Sequence, residues 1–140
     1  LAEKQAKLVR QNSFDARRDM FLRASRFIIE DLNSTAIDLN RLLDDVGSQK
    51  LWPRLARGEK GIFVKSMLQE DARHARDVIK GKFVSDDNFR KYVQRYLDHF
   101  ERLLNEANES DPENLLSSTF LSADIGKLYL VLARSVGRLN

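Results

Sequence analysis

From Phe21 onward, apolar residues recur with the three-and-four spacing of a helical face. Phe21, Ala24, Ile28, Leu32, Ala36, Leu39, Leu43 and Val46 share one such face, and Phe27, Ile29 and Leu42 widen it. This pattern predicts a long helix from Phe21 to Val46, with Gly47 as a left-handed stop. Residues 1–20 differ, because Leu1, Leu8, Val9 and Phe14 are too sparse to bury a face. They read as a polar helical lead-in.

A compact irregular stretch comes next. Ser48 is placed to cap a short helix through Leu51, Trp52, Leu55 and Ala56, with Pro53 in its early turns. Gly58 and Gly61 bracket a turn, and Ile62, Phe63, Met67 and Leu68 open another helical segment. That segment either runs on or breaks near residues 69–71, before Ala72, Ala75, Val78, Ile79 and Phe83, and Gly81 suggests fraying near its end. Ser85 or Asp86 then caps a helix whose buried face is Phe89, Val93, Tyr96, Leu97, Phe100, Leu103, Leu104 and Ala107. Asp111 followed by Pro112 starts a short helix carrying Leu115, Leu116 and Phe120. Ser122 is expected to cap the last helix, with Asp124 in its first turn. Ile125, Leu128, Tyr129, Leu132, Val136 and Leu139 form one stripe there, and Leu130, Val131 and Ala133 extend it around the cylinder. A helix so apolar belongs at the centre of a bundle, and Gly126 within it suggests close approach of another element.

These elements predict an all-α fold, an irregular bundle of about five to seven helices with a long N-terminal helix. Residues 21–140 would form one domain and residues 1–20 the lead-in. A length of 140 residues suffices for one buried core, and 2 Pro and 6 Gly are too few for many tight turns. Hydrophobic residues at 42% and charged residues at 32% fit a globular helical protein.

The 0 Cys exclude a disulfide framework, a thiolate zinc site and a cysteine nucleophile, and they fit a reducing, cytoplasmic setting. No apolar run approaches the ~18 residues that span a bilayer. The chain opens at Leu1 without methionine, so the expectation is a segment of a longer parent protein, which could itself be membrane-anchored.

Candidate chemistry is thin. Asp71 and His74 lie three apart on one helical face, but a catalytic zinc needs about three protein ligands and no His-Glu-x-x-His pattern exists. His99 beside Asp98 points elsewhere on its helix and reads as a surface histidine. Gly126-Lys127 and the Gly58–Gly61 turn lack the spacing of a phosphate loop, and no Gly-x-Ser-x-Gly elbow occurs. No catalytic, cofactor-binding or metal-ligating residue is assigned, and an enzyme is the third-ranked reading.

Charge changes the picture more. The net charge is +3, yet Leu1 to Arg26 carries seven basic and three acidic residues. The expectation is a non-catalytic protein–protein interaction module, including self-association as a homodimer. It would bury Phe14, Phe21 or Ile28 helix on helix, with Arg17, Arg18 and Arg23 setting orientation. The alternative is binding of nucleic acid or an anionic surface through the same basic helix, although Asp15 and Asp19 dilute its charge. Trp52, the sole tryptophan, reads as a plug at one end of the bundle, with an exposed anchor for a partner as the alternative.

Three blocks carry a resemblance. They are Gly61-Ile62-Phe63-Val64-Lys65, Phe89-Arg90-Lys91-Tyr92-Val93-Gln94-Arg95-Tyr96 and Ser122-Ala123-Asp124-Ile125-Gly126-Lys127-Leu128-Tyr129. Together they resemble a helical terminal domain of poorly characterised alphaproteobacterial proteins with long coiled-coil regions. The likeness spans residues 20–140 and implies a scaffold-type parent, with no defined activity or catalytic residues.

Overall fold

The computed structural model describes residues 2–43, 49–69, 72–111 and 115–139, with the side chains of 2–3, 7–14 and 72 outside the description. Among these residues the chain forms eight helices. They are α1 (Ala2–Ala24), α2 (Arg26–Leu43), α3 (Trp52–Ala56), α4 (Ile62–Leu68), α5 (Ala72–Ser85), α6 (Asp87–Ser110), α7 (Leu115–Ser122) and α8 (Asp124–Ser135). The all-α expectation holds, and the count exceeds five to seven.

One cause of the higher count is the first helix, which is not continuous from Phe21 to Val46. It starts in the lead-in, runs through residue 20 unbroken and ends at Ala24, and α2 begins at Arg26. Ser25 N donates to the Phe21 carbonyl at 2.8 Å and Ile29 N to the Ser25 carbonyl at 3.0 Å. The helical register therefore carries across the break. Ser25 is fully buried, and its Oγ has no hydrogen-bond partner among the described residues. It occupies the inward position expected of Ala24, which is exposed. The expected stop at Gly47 and cap at Ser48 lie outside the described residues.

Elsewhere the sequence pattern and the structure agree on most boundaries. The Asp86 side chain caps α6 by accepting from Phe89 N at 3.1 Å, and Asp87 sits in the first turn, where negative charge meets the positive end of the helix dipole. The expected face of α6 is buried at Phe89, Val93, Tyr96, Leu97, Phe100, Leu103 and Ala107. Gly58, at φ 97°, makes the left-handed turn after α3, and Arg54 closes it with two hydrogen bonds to Glu59 at 2.8 and 2.9 Å. Gly81 lies within α5 rather than at a frayed end. Pro112 lies outside the described residues, while Asp111 accepts from Leu116 N at 2.9 Å, supporting the start of α7.

Ser122 does not cap the last helix. Ala123 holds the N-cap position without a side-chain bond, and Ser122 Oγ donates back to the carbonyls of Ser118 and Thr119. Ser122 finds acceptors in its own preceding turn, a local bond that competes with capping.

The core is layered around α6 and α8. α6 packs on α1, α2, α5, α7 and α8, and α8 on α4, α5, α6 and α7. Phe100 stacks on Tyr129 with ring centroids 4.7 Å apart. Tyr96, buried on α6, donates through its hydroxyl to the Ile125 carbonyl at 2.8 Å, pinning the start of α8. Asn40, buried on α2, donates to the Phe63 carbonyl at 2.7 Å and ties α2 to α4. α7 and α8 meet at a 75° bend, and no single described helix is long and apolar enough to cross a membrane. Gly126 sits at that bend with the backbone of Phe120 and Leu121 against it.

Candidate functional site

Charged and apolar side chains gather where α1 and α2 run beside α6. Asp31 on α2 pairs with Arg95 and His99, Phe27 and Ile28 share a cleft with His99 and Arg102, and Arg17 and Ala24 share another with Ser110. Moving back along α2 into α1 thus means moving forward along α6, so the two run antiparallel. On α6, His99, Arg102, Glu106 and Ser110 share a face, and on α1 and α2 so do Arg17, Met20, Ala24, Phe27 and Asp31. Between these two faces lie two open clefts. The larger, about 360 Å³, is lined by Arg17, Met20, Phe21, Ala24 and Ser110, and the smaller, about 200 Å³, by Phe27, Ile28, Asp31, His99 and Arg102.

Asp31 is the polar centre of the smaller cleft. Its carboxylate accepts from Arg95 Nε at 3.2 Å and Nη2 at 2.5 Å, and it meets His99 Nδ1 at 2.5 Å. Burial pushes the Asp31 carboxyl up, but the hydrogen bonds and charges of Arg95 and His99 outweigh it and hold the group below its ordinary value of 3.8. A depressed folded-state value means that this stabilisation is complete above the unfolded value and is lost as pH falls through the lower folded one. Asp31→Asn should therefore lower stability by about 1 kcal/mol at pH 7. The gap from wild type should close as pH drops below the ordinary carboxylate value. Urea melts across acid pH check this, and a gap that stays constant would refute it.

The residues expected to bind a partner divide. Phe21 is 6% exposed and packs edge to face on Phe120 with centroids 5.7 Å apart, so its helix-on-helix burial is satisfied within the chain. Phe21 also lines the larger cleft. Ile28 is partly buried against the core and lines the smaller cleft. Arg17 and Arg23 are exposed, and Arg18 lies 3.9 Å from Asp15 and 3.8 Å from Asp19. The side chain of Phe14 lies outside the described residues.

Periodicity misassigns Phe27 and misses Met20 and His99. Phe27, expected to widen the buried stripe, is 81% exposed, and Met20 is 69% exposed. A neighbour of the partly buried Ile28 is turned by about 100° around the helix, which carries Phe27 out to solvent. His99, next to Asp98 in sequence, bonds Asp31 across the helix pair, a contact between residues 68 apart in sequence.

The other candidates lie away from these clefts. Trp52 packs edge to face on Phe63 at 5.3 Å and remains 42% exposed. His74 is exposed on α5, and Asp71 lies outside the described residues. Among the described residues no group of three or more His, Cys, Asp or Glu could hold a metal ion. Tyr129 donates to Glu101 at 2.7 Å, and burial, with that bond, pushes its phenol up to about 12. Arg138 bridges Asp98 and Glu101 at 3.0 Å each and fastens the end of the described chain to α6.

Comparison with protein-family models, curated proteins and solved structures finds no match to this chain.

Proposed function

We propose that this chain is a non-catalytic protein–protein interaction module that offers α1 and the break at Ser25 to its partner. The observation that supports this reading is the poor burial of the described side chains of α1. Of the side chains described on this 23-residue helix, Phe21 alone is buried. Isolated helices are marginal in water, and most helical stability comes from packing an apolar face. A helix whose described side chains are so little packed is suited to gain further contacts from another molecule. Met20 and Phe27, exposed on either side of Ser25, supply apolar anchors, and Arg17 and Arg23 supply exposed charge.

The test places a photoreactive phenylalanine analogue at Met20, at Phe27 and, as a control, at Val84, which is also exposed but lies on α5. Irradiated cells producing the chain should yield a discrete protein adduct from positions 20 and 27 and none from 84. Reversing Arg17, Arg18 and Arg23 to glutamate should diminish it. Equal adducts from all three positions, or none, would sink the reading. Adducts to nucleic acid that vanish as salt rises would favour the basic helix as a nucleic-acid binder instead.

A further inference from the structure

Phe27 is the most exposed large apolar side chain among the described residues, at 81%. On the same stripe, two turns toward the N-terminus, lies the larger cleft, walled by Met20, Phe21 and Ala24 with Arg17 and Ser110 at its rim. The molecule thus carries a projecting ring and an open apolar recess side by side. The ring does not fill the recess within one chain, since Phe27 stays 81% exposed on α2 while the recess opens between α1 and α6.

The order of residues on that stripe matters. Arg17, Met20, Ala24, Phe27 and Asp31 follow one another at spacings of three, four, three and four, and read basic, apolar, small, apolar, acidic. Hydrogen bonds on both sides of Ser25 keep these positions in one helical register. Reversed and placed against itself, the stripe matches. Ala24 meets Ala24 where two backbones come closest, Phe27 meets Met20, and Arg17 comes to the end that carries Glu30 and Asp31. An interface that is its own complement under reversal is what a two-fold axis requires.

We propose that two copies of this chain associate about a two-fold axis near Ala24, with Phe27 of each copy entering the cleft between α1 and α6 of the other. This rests on the interaction-module reading and names its partner as a second copy. The reciprocal insertion buries two phenyl rings at the centre of the contact, the position where aromatic anchors dominate binding. The rim charges add little affinity, since Arg95 and His99 already hold Asp31, and Arg26 holds Glu30 at 3.1 Å. A closed two-fold contact also leaves no second copy of the cleft open, so association stops at the dimer.

Sedimentation velocity of the full chain across concentration tests this directly. The wild type should shift from monomer to dimer, and Phe27→Ala should raise the dissociation constant by roughly 30-fold or more. Because Phe27 is exposed, its removal should leave the thermal melt of dilute protein unchanged. The chain has 0 Cys, so single cysteines report geometry cleanly. Ala24→Cys should give a disulfide-linked homodimer on mild oxidation, and a mixture of Met20→Cys and Phe27→Cys chains should cross-link to each other faster than either does to itself. A monomer at every concentration, or a dimer that Phe27→Ala leaves intact, overturns the proposal. A monomer whose positions 20 and 27 still capture a different protein keeps the module reading and refutes only the second copy. A monomer that captures nothing removes both.

Discussion

Gly126→Ala should destabilise the protein by about 3 kcal/mol or more, enough to leave a marginally stable domain largely unfolded at moderate temperature. The usual expectation has the opposite sign, because alanine is the better helix former by about 1 kcal/mol. Geometry decides here. A Cβ on Gly126 would stand 2.1 Å from the Phe120 carbonyl oxygen, 2.6 Å from Leu121 Cα and 2.7 Å from the Leu121 oxygen. These are backbone atoms at the end of α7 and cannot swing aside as a side chain can. Relief requires opening the 75° bend between α7 and α8, which would pull Leu128 and Leu132 out of the core. Gly81→Ala is the matched control. It lies within α5 with nothing within 4 Å of the added carbon, so it should gain up to about 1 kcal/mol. Urea melts of the two variants should move in opposite directions. Two shifts of the same sign would show that the close approach at Gly126 is not what limits that position.

Phe100→Ala should cost about 3–5 kcal/mol. Phe100 is fully buried at the middle of α6, where that helix faces α8, and its ring stacks on Tyr129 at an interplanar angle of 27°. Truncation removes the transfer free energy of a whole phenyl ring and leaves a cavity between two helices that also contact other partners. Those other contacts hold them apart, so the site cannot collapse to fill the void. Phe100→Leu, which keeps most of the volume, should cost only about 1–2 kcal/mol. Equal losses for Ala and Leu would mean that ring stacking, rather than cavity formation, governs the site.

Long, strongly periodic elements were legible in the sequence and breaks without punctuation were not. The 24 residues of α6 present one apolar face and an aspartate cap, and every residue buried there followed from spacing alone. Gly126 was legible as a close approach because glycine is costly inside a helix, although what approaches it could not be named. The break at Ser25 carries no proline or glycine, so the three-and-four pattern runs through it and hides it. The same pattern assigned Phe27 to the core, since a single-residue offset separates the buried stripe from the solvent face. The pairing of Asp31 with Arg95 and His99 depends on how far α2 slides along α6, and that register is set by packing between elements distant in sequence. Of the expected partner-binding residues, Phe21 went to the core because Phe120, far along the chain, offers it a ring to pack on.

The place of α6 in the chain bears on how the protein is made. α2 is synthesised early, with Leu32, Ala36 and Leu39 ready to be buried, yet the helix it packs on most extensively does not begin until Asp87. A growing chain therefore emerges with an apolar face that no element yet synthesised fully covers. Folding of this unit must wait until α6 leaves the ribosome, and α8, which completes the other side of α6, follows it. A ribosome stalled between α5 and α6 would display a helix primed to stick to whatever is near, which makes this interval the natural point for a chaperone to act.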